Sequence, residues 1–483
     1  MLYIICFILY LLLLMGVSYF SSRRHADNGA FFSANRSAPW FVVAFGMIGA
    51  SVSGISVVSV PGMVQSVGWT YLQTCLGFFV GYIAVAYILL PLYYRLNVTS
   101  IYQYLSSRFG QSSRLTGAWL FVVAKAVSSA SKLFVAAIVL QQFVFEQLGC
   151  PFWLTVLICV FVIWLYTQRS GIKTIVWTDS LQTAFLLIAV AVMCIEVVSL
   201  VELDFGSVVN TLKDAPHTRI FVMDDFVSSR NFWKQFISGI FIVIVMTGLD
   251  QDMMQKNLTC STLRKSQRNM LCYGAAFLPV NFLLLFLGSM IVLFATNNSV
   301  DIPTAPDAIL PFVVSHYMSP VAGVAFMISI VAATFSSADS ALTAITTSLS
   351  VDIFNIKQDD VHHRRLIHLA VSAVFTLMVL VFDSFRGNSV LDTIYTIVGY
   401  AYGPLLGLFS FGIITRRMPR GRVVPWIAVL SPIACFAINQ LTTALYNYSF
   451  GYELLLLNGV ITFIALWLVS MGMPKIKGGS IEF

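Results

Sequence analysis

Charge is what this chain has least of. Only 10% of its 483 residues are Asp, Glu, Lys or Arg, while 58% are hydrophobic. A soluble protein of this length would need far more charge to cover its surface. Signatures of catalysis and metal binding are missing as well. No HExxH, GxSxG or phosphate-cradling glycine loop occurs, so nothing points to an enzyme. The eight cysteines (Cys6, Cys75, Cys150, Cys159, Cys194, Cys260, Cys272 and Cys435) are scattered, mostly in apolar stretches. They form no CxxC or metal-ligand spacing and read as small core residues.

What is present is a recurrence of apolar runs of about 20 residues, each able to cross a hydrocarbon layer of roughly 30 Å. Thirteen such runs lie near 2–20, 39–66, 70–94, 115–145, 152–168, 172–201, 234–253, 269–297, 319–350, 366–382, 389–415, 422–444 and 452–472. They leave nothing for a soluble domain. Residues 1–483 therefore read as one integral membrane domain in a lipid bilayer, all-α, with about 13 transmembrane helices. The first run starts at Leu2 with no basic segment before it and no small-residue cleavage site after it, which predicts a retained helix rather than a signal peptide. Orientation follows from the basic residues. With the N-terminus outside, only Lys213, Arg219, Arg230, Lys234 and Arg386 fall in outer loops. Lys125 and Lys132 fall within a span, and the other Lys and Arg residues, Lys256 among them, are assigned to inner loops. This predicts an outside N-terminus and an inside C-terminus in the cell membrane. It also makes the net charge of +7 a topology signal, not a sign of nucleic-acid binding.

Two polar clusters interrupt the apolar runs. In the ninth, Ser336, Ser337, Asp339 and Ser340 follow one another within about one helical turn, and the carbonyl of Ala333 points toward side chains three and four residues later. Hard oxygen donors inside a bilayer are costly and mark ion or substrate paths; hydroxyls and carbonyls suit Na+. In the fourth run, Lys125, Ser128, Ser129 and Lys132 are spaced i, i+3, i+4, i+7 and share one helix face near mid-span, too deep for easy snorkelling. These lysines hold a substrate anion, or they pair with Asp179, Asp250 or Asp339.

Several stretches together resemble the sodium:solute symporter family, which includes sodium/glucose, sodium/proline and sodium/sialic acid cotransporters. They are Gly49-Ala50-Ser51-Val52-Ser53-Gly54-Ile55-Ser56 with Ser59-Val60-Pro61-Gly62; Thr99-Ser100-Ile101-Tyr102-Gln103-Tyr104-Leu105; Trp177-Thr178-Asp179-Ser180-Leu181-Gln182; Gly248-Leu249-Asp250-Gln251 with Gln255-Lys256; Ser336-Ser337-Ala338-Asp339-Ser340 with Asp352-Ile353-Phe354; and Gly403-Pro404-Leu405-Leu406-Gly407. Each is weak alone; in this order over almost the whole chain they are specific. The resemblance implies a leucine-transporter-type fold. Residues 1–38 would be an extra helix and inner loop, 39–201 a first repeat of five helices, 234–415 an inverted second repeat, and 416–483 C-terminal helices. The first helix of each repeat would be broken at mid-membrane, here at Ser53-Gly54 and Thr247-Gly248, where glycine eases unwinding.

The same resemblance implies the sites. A shared Na+ site would be formed by the carbonyls of Gly49, Val52 and Ala333 and the hydroxyls of Ser336 and Ser337. Some members bind a second Na+, which would use Asp179, Ser336, Asp339 and Ser340; the sialic acid branch has serine where this chain has Asp339. Alternatively, Asp179 and Asp339 share a proton, or Asp339 caps or bonds a neighbouring helix. The substrate pocket would contain Ser51, Ser53, Ser56, Tyr71 and Cys75, together with Lys125, Ser128, Lys132 and Asp250. Cys75 departs from the Gln or Glu of sugar and sialate carriers, and Ser128 aligns with the sialate branch's arginine. Asp250 instead serves a helix end in the second reading, and Tyr400 and Tyr402 either gate the pocket or pack. The implied activity is import of a small polar solute (sugar, sugar acid, amino or carboxylic acid) coupled to Na+ by alternating access, with the chain acting as a monomer. A proton-coupled carrier, or a channel or sensor on the same scaffold, is the alternative.

Overall fold

The computed structural model describes residues 1–22, 27–201, 205–224, 226, 228, 230–357, 359–384, 388–446, 448, 450–471 and 473. Among them the regular secondary structure is helical, with no strand. In chain order the principal helices are α1 (Leu2–Ser22), α2 (Trp40–Ser51), α3 (Gly54–Gly62), α4 (Tyr71–Ala84), α5 (Gln111–Leu140), α6 (Phe152–Thr167), α7 (Ile172–Val201), α8 (Phe232–Val243), α9 (Gln251–Asn257), α10 (Leu263–Asn297), α11 (Pro320–Ser348), α12 (Val361–Ser384), α13 (Asn388–Ile414), α14 (Val424–Tyr446) and α15 (Leu454–Val469). Eight continuous helical segments are long and apolar enough to cross a membrane, and the bent pair formed by Phe232–Gly248 and α9 adds a ninth span if counted as one. Four shorter apolar helices complete the set.

Helices that are apolar all round must bury every face in lipid or in protein, and burial sorts them into shells. In α11, 83% of the most apolar stretch is buried, against 22% in α1 and 28% in α12 and α14. So α11 is the axis of the bundle, while Leu12, Ile188 and Leu377 turn outward from peripheral helices. Along much of its length α11 packs against α7 and α5, and its middle touches α2 and α3.

Small residues let backbones approach where no hydrophobic drive exists between helices in lipid. One such contact joins α4 to α8. A Cβ on Gly77 would strike the Phe236 carbonyl, and one on Gly239 would strike the Thr74 carbonyl; the two glycine backbones face each other. In the Gly403-Pro404-Leu405-Leu406-Gly407 stretch, the two glycines sit against Asn458 and Thr462 of α15, so that motif is a packing seam.

Two spans are broken, each close to the expected place. The first break lies at Val52–Ser53, between α2 and α3. The second follows a π turn over Ile244–Gly248 and falls at Leu249–Asp250, where α9 leaves α8 at 71°. Each break is displaced by a residue or two from its glycine, because the residue that caps the following helix, Ser53 or Asp250, is what ends the unwound segment.

Candidate functional site

At the first break the backbone is left short of donors. In a continuous helix the Ser53 N–H would bond the Gly49 carbonyl and the Ser56 N–H the Val52 carbonyl. Instead the Ser53 N–H donates to the Ser51 carbonyl at 3.1 Å, and the Ser56 N–H donates to the Ser53 hydroxyl at 3.3 Å. The Gly49 and Val52 carbonyls thus lose their helical partners, and no side chain among the described residues donates to either. Gly54 opens α3 directly against α11: a Cβ there would lie 2.5 Å from Thr334 Oγ1 and 3.1 Å from the Ile330 carbonyl. This close approach brings the freed carbonyls beside the helix that carries Ala333, Ser336 and Ser337, all buried.

Ser336 donates its hydroxyl hydrogen to Asp179 Oδ1 at 2.6 Å. A hydroxyl whose hydrogen is committed to a carboxylate presents only lone pairs elsewhere, so Ser336 is oriented as an acceptor toward any cation beside it. Ser337 makes no hydrogen bond among the described residues. The other hydroxyls of the first break bond locally: Ser51 with Tyr273 at 2.5 Å, and Ser53 with Ser56 at 3.1 Å. Tyr71 and Cys75 lie one helical turn apart on α4. Gln73 turns away, holding the segment before α8 through the Val222 N–H and the Arg230 carbonyl.

The second break is built differently, and here several sequence expectations are corrected. Asp250 is first of all a helix cap, accepting the Asp252 and Met253 N–H groups. It also accepts the Tyr402 hydroxyl at 2.8 Å and faces Lys125 Nζ at 3.1 Å. Lys125 takes the pairing expected as its second reading: it is held between Asp250 and Asp252, the latter at 2.7 Å. Asp252 was not among the intramembrane aspartates expected from the sequence. Lys256, assigned above to an inner loop, is instead 1% exposed in the core, with Nζ 2.7 Å from Asp179 Oδ2 and 4.0 Å from Asp252 Oδ1. The reason is the 71° bend, which turns the short α9 back into the bundle instead of letting it leave the membrane as a loop. A sequence signal existed: Asp252 and Lys256 are spaced i, i+4, the spacing of a helical ion pair.

Asp339 is fully buried, accepting the Tyr166 hydroxyl at 2.6 Å and the Ser340 hydroxyl at 3.2 Å; no cation lies within ion-pair distance of it among the described residues. Through Tyr166 it bonds a neighbouring helix, α6, as the second reading of this residue expects. Lys132 is on the Lys125 face of α5, half-buried and within Coulombic reach of Lys125, Asp250 and Asp252. Unlike Lys125 it forms no ion pair or hydrogen bond among the described residues. Ser129, beside it on the same face, buries a hydroxyl without a partner.

Comparison with known proteins agrees with this architecture. The model of the sodium:solute symporter family matches residues 31–421. The human sodium/iodide cotransporter is 26% identical over 404 residues, 81% of this chain; the chain spans only 61% of that protein's length. The sodium/sialic acid symporter NanT of Aliivibrio fischeri is 26% identical over 465 residues, covering 92% of this chain and 88% of that one. Among solved structures, a Na+-coupled sialic acid symporter in a substrate-bound outward-open state superposes with a TM-score of 0.84 over 99% of both chains at 19% identity. Mhp1, a nucleobase-cation-symport-1 family transporter, superposes with a TM-score of 0.59 at 15% identity. At these identities the structural likeness establishes a shared fold.

Proposed function

We propose, for a chain that belongs to the sodium:solute symporter family, that Na+ moving down its gradient drives import of a small organic anion by alternating access. The observation that carries the Na+ part is the open first break: two carbonyls without donors beside a hydroxyl whose hydrogen is tied to a carboxylate. Gly49, Val52, Ala333, Ser336 and Ser337 would surround the ion with five neutral oxygens. With no formal charge in direct contact, binding is weak enough to reverse in each cycle. The inverted repeats over 39–201 and 234–415, the outside N-terminus and the inside C-terminus belong to the same reading. A broken span near the start of each repeat supports the first of these.

The anion follows from the two lysines of α5. An unpaired ammonium within a membrane bundle is costly. Lys125 has two carboxylates; Lys132 has none within ion-pair distance among the described residues, and it is the group we assign to the solute's negative charge, with Ser128 and Ser129 on the same helix face. Several relatives are named for anions, including iodide, sialic acid and monocarboxylate. The remaining pocket residues would be Ser51, Ser53, Ser56, Tyr71 and Cys75, with Asp250 acting through Lys125.

The test is a thermal-shift panel of sugars, sugar acids, amino acids and carboxylates in Na+ or K+, followed by uptake into liposomes. An anion should stabilise the protein only in Na+. K132M should raise the KM for that anion by roughly 10- to 100-fold, the loss of one charge-assisted hydrogen bond, with its Na+ dependence kept. Neutral ligands transported equally by K132M would remove the anion assignment. A proton-coupled reading has one observation in its favour, the buried Asp339 without a cationic partner. Uptake driven by a pH gradient in the absence of Na+ would select it.

A further inference from the structure

Lys256 stands at the crossing of the two broken spans. Asp179, on α7, reaches the ion-facing hydroxyl of α11 with one carboxylate oxygen and the Lys256 ammonium of α9 with the other, at 2.6 and 2.7 Å. Both charged side chains are 1% exposed. Asp339 lies close enough to repel Asp179 and attract Lys256, and Asp252 approaches the same ammonium from the other side at 4.0 Å. Carboxylates from α7, α9 and α11 thus converge on one positive charge, and that charge belongs to the protein.

A mobile cation at Asp179 would have to displace an ammonium that cannot diffuse away. A tethered group competes at a high effective concentration, set by its linker and not by the solution. The ammonium already neutralises the buried carboxylate as an ion pair at 2.7 Å, so a mobile cation would add a second positive charge there. We infer that Lys256 is a built-in cation that takes the place of a second Na+ at the Asp179, Ser336, Asp339 and Ser340 group, and so fixes coupling at one Na+ per solute. The inference rests on the reading that Na+ binds at the first break. It adds that Lys256 acts as a positioning residue, keeping Asp179 charged and directed at Ser336 without touching the transported ion.

The purified full chain in liposomes tests it. The membrane potential is held at zero with equal K+ on both sides and valinomycin, and the probe is the best anion from the thermal-shift panel. The solute gradient at zero net flux is then read against an imposed Na+ gradient. For wild type, a tenfold Na+ gradient should hold a roughly tenfold solute gradient; for K256M, which exposes Asp179 to a mobile ion, a roughly hundredfold one. K256R should behave as wild type. D179N/K256M, which removes both charges, should return to about tenfold. A wild-type ratio of two Na+ per solute overturns the inference, as does a transport-competent K256M that keeps a ratio of one. If K256M does not fold, the wild-type and D179N/K256M ratios decide. A wild type indifferent to Na+ overturns the underlying Na+ reading, an outcome distinct from a ratio of two.

Discussion

The two broken spans solve the same problem in opposite ways. Unwinding a helix inside a membrane strands backbone groups that must find partners. At the second break the chain supplies them. The Tyr93 hydroxyl donates to the Gly248 carbonyl at 2.8 Å, the Tyr102 hydroxyl to the Leu249 carbonyl at 3.1 Å, and Asp250 takes the N–H groups on the far side. Charges close the rest of the gap: Lys125 on Asp250 and Asp252, Lys256 on Asp179. At the first break the amides are satisfied by Ser51 and Ser53, but the Gly49 and Val52 carbonyls are left. The sealed break is a structural joint; the open one is where we place the transported ion.

If that contrast is right, damage to the sealed break should cost stability and damage to the open one should cost function. The largest effect is expected for D250A, which removes a cap, the Tyr402 acceptor and one partner of Lys125 together. Leaving a buried charge short of its partner costs about 3–5 kcal/mol. The unfolding midpoint in detergent should fall steeply, and a D250A protein as stable as wild type would erase the distinction. S336A/S337A should come next, with Na+-driven uptake lost and the midpoint lowered less, since Ser337 makes no hydrogen bond among the described residues and the one Ser336 donates to Asp179 contributes about 1.5–3 kcal/mol. Y93F should be milder still: about 1 kcal/mol of stability from the unbonded Gly248 carbonyl, with apparent Na+ affinity unchanged. A Y93F variant with altered Na+ response would mean that both breaks take part in ion binding. The smallest effect belongs to R219A, outside the spans. Arg219 holds the Asp224 carboxyl below its usual range through a hydrogen bond, so any stabilisation is present at neutral pH and lost as the pH falls through the folded-state value. Both side chains are well exposed, and such pairs contribute little. R219A should melt as wild type does at pH 7 and at pH 4.

The architecture was largely legible in the sequence because long apolar runs have one physical use. The apolar segments and the serine cluster of α11 follow from composition and spacing, and the glycine-marked breaks from the family resemblance. The open break was marked as well: four serines in nine residues, Ser51 to Ser59, stand out inside an apolar run. The sealed break was not. Its lysine sits in a seven-residue helix with no apolar stripe, which reads as a loop until the bend is known. Its partners Asp179 and Asp252 lie 77 residues and four residues away along the chain, and only folding shows that both are used. Tyr93 and Tyr102 look like packing aromatics, and their hydroxyl bonds depend on where the backbone unwinds. Lys125 and Lys132 were recognisable as a pair, but which of them is spoken for depends on Asp252.

The Gly77–Gly239 contact between α4 and α8 limits how this molecule can change shape. With no side chain between the two backbones, there is no soft layer to shear. A slip of one residue in either direction would push the Cβ of a neighbouring residue against a carbonyl oxygen of the opposite helix. The two helices are therefore locked in register and must travel as a single plank. A covalent link across this seam should leave turnover intact, and the rearrangement that exposes the site to one side and then the other must run along seams cushioned by flexible side chains.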